Sequence, residues 1–247
     1  MPASQSYNFF TMKHSSKSLS LSSSKCDVAE LCLGNNLTSE ELNWLDKTIQ
    51  YVKTFKPGEH LFHFNDPVTH VFAILSGACK EYLIDMNGTE YVNEFYLEGD
   101  LIGLEYMEKG HYRLNAIAVK ETIACLLPVH LIRRAKPFVQ RRLFNILCQK
   151  LEHQLIYQQT TNAKQRAAAF YLDLIQRAKK REQNIKKIPV AITNADISHK
   201  IGIAHETLSR ILHEFSAQSW LVIRQHQICS YDIEALKKIV GYIPVIS

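Results

Sequence analysis

The residues of this chain best suited to chemistry with another molecule lie between Thr193 and Leu212, in the stretch TNADISHKIGIAHETLSRIL. Glu206, Ser209 and Arg210 stand three and four positions apart, so on a helix they share one face. An acceptor, a hydroxyl and a guanidinium on one face can read cytosine N4, a neighbouring base or phosphate, and guanine O6/N7 in a DNA major groove. Ile203, Leu208, Ile211 and Leu212 fall on the opposite face, which predicts its burial. Helix, tight turn at Gly202 and second helix make a helix-turn-helix. The stretch predicts a regulator of transcription.

The cysteines are the second candidate set: Cys26, Cys32, Cys79, Cys125, Cys148 and Cys229. The chain has no apolar run near the ~20 residues of a membrane span. It also lacks the apolar core of a signal peptide behind Lys13, Lys17 and Lys25. The expectation is a cytoplasmic protein without membrane partners, whose cysteines are thiols or ligands rather than structural disulfides. His60 and His63 flank Leu61-Phe62, with His70 nearby, but no carboxylate or cysteine joins them at a compact ligand spacing. No nucleophile elbow, phosphate-cradling loop or zincin motif is present, and Glu105 has no partner acid or base. No enzyme is expected.

Charge agrees with the first set. Residues 160–247 hold 13 Lys/Arg against 7 Asp/Glu, whereas the rest of the chain is close to balanced within a total of +5. Phosphate neutralisation calls for that asymmetry.

The remaining elements must position these residues. Residues 1–34 read as a serine-rich, disordered arm carrying Cys26 and Cys32. Thr38 with Glu41 is a capping-box pattern opening a short helix, with Leu42, Leu45 and Ile49 as its inner face. Short strands divided by turn residues follow, within a sensor domain at 35–130. Asn87-Gly88 is a strong hairpin signal, because both residues tolerate positive φ. Such strands suggest a small jelly-roll β-barrel. Residues 131–159 read as one long helix with Leu143, Leu147, Leu151 and Leu155 on a stripe that a second copy of the chain would cover. Residues 160–247 form the DNA-binding domain, with a wing over Trp220–Ser230. The fold class is α+β.

In that order the segments resemble the CRP/FNR transcription regulators, and within them the FNR branch. The carrying stretches are Cys26-Asp-Val-Ala-Glu-Leu-Cys32, Leu75-Ser-Gly77, Gly99-Asp-Leu-Ile-Gly103, Glu121-Thr-Ile-Ala-Cys125, Asn162-Ala-Lys-Gln-Arg166 with Ala168-Ala-Phe170, and His205-Glu-Thr-Leu-Ser-Arg210. The resemblance implies a cyclic-nucleotide-binding-like barrel, a homodimer on palindromic sites, and DNA contacts from His205, Glu206, Thr207, Ser209 and Arg210. Ser209 suits half-sites like TTGAT, while His205 departs from both branches. The hairpin tip at Met86-Asn87-Gly88 is placed to touch RNA polymerase, as the equivalent tip does in activators of the family.

The resemblance also frames the input. Family members sense a cyclic nucleotide, an iron–sulfur cluster, or neither. Arg113 is present, but no serine follows it, so a cyclic phosphate would lack its hydroxyl partner and cAMP is not expected. Cys26 and Cys32, with five residues between them, match two arm ligands of a [4Fe–4S] cluster, and Cys125 matches the barrel ligand. The remaining arm position is Ser23. A cluster with a substitute ligand, a thiol switch and inert thiols all stay open. The competing function class is a small-molecule or thiol-redox sensor with protein–protein output.

Overall fold

Helix α1 (Ser39–Thr48) opens with the expected capping box: Thr38 N–H donates to Glu41 Oε2 at 2.5 Å, and Glu41 N–H to Thr38 Oγ1 at 3.3 Å. The computed structural model describes residues 38–48, 51–181, 188–190 and 192–241. The serine-rich arm with Cys26 and Cys32 lies outside them, as does Ile49. The side chains of Leu42 and Leu45 are outside as well. Trp44 is the described α1 residue that packs on the barrel.

Eight strands follow: β1 (Tyr51–Phe55), β2 (His60–Phe62), β3 (His70–Ser76), β4 (Ala78–Ile84), β5 (Glu90–Leu97), β6 (Leu101–Ile102), β7 (Asn115–Ala118) and β8 (Thr122–Pro128). They form two antiparallel four-stranded sheets, ordered β1-β8-β3-β6 and β2-β7-β4-β5. Inward residues of both sheets, among them Phe55, Phe72, Ile74 and Tyr96, make the core between them together with Tyr112 of the segment before β7. Gly77 closes the β3–β4 corner at φ 102°, where an added Cβ would lie 2.5 Å from the Glu121 carbonyl, so no other residue fits.

The long helix expected over 131–159 is two helices, α2 (Val129–Arg133) and α3 (Pro137–Gln159). Pro137 sits at the first helical position of α3. It lacks the N–H that would continue α2, and it biases Lys136 away from helical geometry.

The leucine stripe divides as well. Leu143 is buried in a cluster with Val139 of α3 and with Val71, Leu101 and Cys125 of its own barrel, and Leu147 packs partly buried against that cluster. Leu151 is 61% exposed, and so is Phe144, at 63%. The Leu155 side chain lies outside the described residues. Helical steps of four residues turn about 40° beyond a full circle, so a period-four row drifts around the helix. Phe144 and Leu151, seven apart, stay within about 20° and share the outward face.

The C-terminal part contains α4 (Ala163–Arg181), β9 (Ile188–Pro189), α5 (Asn194–Ile201), α6 (His205–Ala217), β10 (Leu221–Arg224), β11 (Gln227–Tyr231) and α7 (Ile233–Val240). Strands β10 and β11 form the wing and are joined by β9 in a three-stranded sheet. The core of this part is continuous with Ala78, Val92, Phe95 and Leu97 on the outer face of β4 and β5. Phe95 meets Phe170 edge-on at 6.1 Å between ring centroids.

Candidate nucleic-acid interface

Thr193 caps α5, its Oγ1 accepting from Asp196 N–H at 3.1 Å. This satisfies a donor that the first turn leaves orphaned. The helix ends at Gly202, whose φ of 63° is left-handed. Gly202 N–H donates to His199 O and Ile203 N–H to Ser198 O, so the chain reverses in a Schellman motif. Arg166 of α4 donates to the Gly202 carbonyl at 3.4 Å and holds the turn from behind.

Helix α6 is then fixed by its apolar face. Leu208, Ile211 and Phe215 are buried, and Ile203 and Leu212 pack against the same core. His205, Glu206, Ser209 and Arg210 are all exposed on the other side. Thr207 differs from its neighbours. It is half-buried, and its hydroxyl accepts from Arg210 at 3.3 Å, so it steadies the guanidinium. The arrangement can offer a carboxylate, a hydroxyl and a forked cation to base edges in a groove.

Three cations tie this reader to the barrel. Lys80 of β4 bridges Glu90 at 2.6 Å and Asp196 of α5 at 2.7 Å. Lys200 of α5 pairs with Glu94 at 3.0 Å. Arg177 of α4 pairs with Asp100 and donates to the Phe95 carbonyl at 3.0 Å. The acidic partners hold the Arg177 guanidinium above its ordinary range although burial opposes this.

The described residues that could serve an input are Glu105, Arg113 and Cys125. Glu105, in a short 3-10 helix (Leu104–Tyr106), accepts from Tyr96 at 3.0 Å and from Lys150 at 3.2 Å. Arg113 is exposed. Cys125 is 3% exposed within an apolar wall. Among the described residues, no group of three or more His, Cys, Asp or Glu could hold a metal ion. Cys26 and Cys32 lie outside the described residues. Burial pushes the Cys79 thiol up to about 12, which makes it a poor nucleophile.

Sequence reasoning missed the buried acid Glu81 and the clasp residues Lys80, Asp196 and Lys200. The available signal for Glu81 was its place beside Cys79 on the inward-facing phase of an alternating strand.

Residues 52–135 match the cyclic nucleotide-binding domain family, and residues 165–239 match the Crp-like helix-turn-helix domain. Over 223 residues the chain is 27% identical to the Fumarate and nitrate reduction regulatory protein of Escherichia coli, covering 88% of this chain and 89% of that one. It is 27% identical over 222 residues to Electron transport regulator A of Shewanella oneidensis, covering 87% and 89%. The solved structure of FixK2 from Bradyrhizobium japonicum superposes with a TM-score of 0.68 at 24% identity, over 78% of this chain and 98% of that one. No helix among the described residues is long and apolar enough to cross a membrane. With both domains matched in order and relatives aligned along most of its length, the chain belongs to the CRP/FNR family of DNA-binding transcription regulators.

Proposed function

We propose that the protein is a cytoplasmic homodimer that reads a palindromic, FNR-like site with the exposed face of α6. The observation that carries this reading is the alignment of Glu206, Ser209 and Arg210 over the buried Leu208–Ile211–Phe215 face. Arg210 takes the bidentate guanine role and Glu206 the cytosine role. His205, exposed at the first turn, takes a phosphate. Two α6 helices ~34 Å apart in a dimer meet successive turns of one groove face. The dimer contact we assign is the outward face of α3 bearing Phe144 and Leu151, because large exposed apolar side chains seven residues apart match a helix-to-helix seam. The β4–β5 hairpin tip exposes Leu83, Ile84, Met86 and Tyr91, an apolar patch suited to RNA polymerase.

The input we assign is redox or oxygen, acting at Cys26 and Cys32. It rests on those residues and on relatives named for fumarate and nitrate reduction and for electron transport. Iron content and the Cys26–Cys32 thiol state, measured before and after exposure to oxygen, test it; a protein unchanged in both would overturn it.

The test of the DNA reading is anisotropy of a labelled duplex carrying two TTGAT half-sites, titrated at several salt concentrations. Tight binding that weakens steeply with salt, and is lost when the half-sites are scrambled, is expected. Equal binding to scrambled DNA would remove the reading role from α6.

A further inference from the structure

Strand β5 carries one extra residue. Glu81 stands opposite Glu94 and Tyr82 opposite Val92, so Asn93 is left out of the ladder. A bulged residue is free to be re-aimed. The Asn93 amide donates to Glu81 Oε2 at 3.0 Å, and its backbone carbonyl accepts from Lys200 of α5.

Glu81 is 0% exposed. Tyr106 donates to its Oε1 at 2.9 Å. The Tyr96 hydroxyl lies 3.2 Å from Glu81 Oε2 and 3.0 Å from Glu105 Oε1. A phenol has one hydrogen to donate. Both contacts are hydrogen bonds when one carboxyl carries a proton of its own and donates it to the Tyr96 oxygen. Lys150 of α3 completes the row. It pairs with Glu105, donates to the Leu101 carbonyl at 2.8 Å and lies 4.7 Å from the Tyr96 ring centroid. The charged and titratable groups facing Glu81 are therefore Glu105 and Tyr106 of the 3-10 helix, Tyr96 of β5 and Lys150 of α3. Glu94 adds charge near Tyr96 from the outer face.

We propose that Glu81 carries a proton that it donates to the Tyr96 hydroxyl, which in turn donates to Glu105, and that this proton holds the helix-turn-helix in its docked pose. The row runs from Lys150 through Glu105, Tyr96, Glu81 and Asn93 to Lys200. It joins the dimer helix to the first helix of the DNA reader. When the proton leaves, the buried Glu81 carboxylate and the half-buried Glu105 carboxylate face one ammonium, and their repulsion works against the β5 segment that Lys200 and Arg177 grip. The docked pose leaves His205, Glu206, Ser209 and Arg210 exposed, so it is the DNA-competent one, and affinity falls as pH rises. The device rests on α6 being the DNA reader.

Burial, and then the Glu105 charge, raise Glu81 from its ordinary 4.5 to about 7. The folded chain binds this proton more tightly than the unfolded chain. Its contribution to stability is complete below 4.5 and is lost as pH rises through about 7.

The test compares the full-length wild type with Glu81→Gln, which keeps the shape and a permanent neutral charge. Between about pH 6.5 and about pH 8, wild-type affinity for the duplex should fall roughly threefold to tenfold, whereas Glu81→Gln should change by less than about twofold. His205 and His213 are exposed on α6 and identical in both proteins, so the comparison isolates Glu81. The infrared difference spectrum should show a protonated carboxyl in the wild type that is absent from Glu81→Gln. Tyr96→Phe, which deletes the bridge, should also flatten the pH response. Amide exchange of α5 should rise with pH in the wild type relative to Glu81→Gln. A missing carboxyl band, or a pH slope that survives in Glu81→Gln, overturns the proposal. Absence of DNA binding at every pH would instead defeat the assignment of α6, and α5 exchange would then decide the proton link alone.

Discussion

Helices α3 and α6 are both two-faced, but in opposite senses. Helix α6 turns its apolar face inward and offers Glu206, Ser209 and Arg210 to solvent. Helix α3 sends charge inward as well as Leu143, with Lys150 reaching Glu105 and Arg142 reaching Glu41 at 3.1 Å, while Phe144 and Leu151 stay outside. Helix α6 thus exposes groups that water solvates well and that a polyanion with directional base edges can replace. Helix α3 exposes groups that water solvates poorly and that another apolar face would cover. The sign of the exposed face identifies the class of partner, and one chain carries both kinds.

The contrast makes measurable demands. Leu151→Asp puts a charge in the proposed seam, and sedimentation should show monomer. Affinity for the paired half-sites should then fall on the order of 10²-fold or more as the second reader is lost. Leu143→Ala, two turns earlier but on the inner face, should leave the dimer intact and lower stability by about 2–5 kcal/mol in denaturant titration. Were Leu143→Ala to dissociate the dimer and Leu151→Asp to spare it, the two faces of α3 would have to be exchanged. On α6, Arg210→Ala should cost ~1–3 kcal/mol of discrimination at one base pair per half-site, read from a panel of substituted duplexes. Uniform weakening across that panel would make Arg210 a phosphate clamp. The smallest change is expected from Thr193→Ala, which removes a cap behind α6 and should cost about 1 kcal/mol of stability without altering base preference.

What the sequence disclosed tracks the range of the interactions involved. The Thr38–Glu41 box, the Asn87-Gly88 hairpin and the Gly202 turn are set by residues within a few positions of one another, and each formed where the pattern put it. The exposed and buried faces of α6 follow from helical spacing alone. The leucine row of α3 divides between an inner Leu143 and an outer Leu151 because period four only approximates the helix, and the break before Pro137 hangs on one residue in an otherwise helical pattern. The Glu81 row could not be read at all. Its members come from five elements, and it depends on a bulge at Asn93 that leaves no mark in composition. The clasp of Lys80 and Asp196 joins residues 116 positions apart.

The outer face of β4 and β5 shares one apolar cluster with α4, α5 and α6. Two family modules that could melt separately are thereby fused into a single folding unit. Heating this chain should give one cooperative transition rather than two, in contrast to the usual behaviour of multidomain proteins. The same fusion sets a limit on dissection. Expressed alone, residues 160–247 would leave bare the surface that Phe95 and Leu97 now cover, and such a fragment should self-associate where the whole protein stays dispersed.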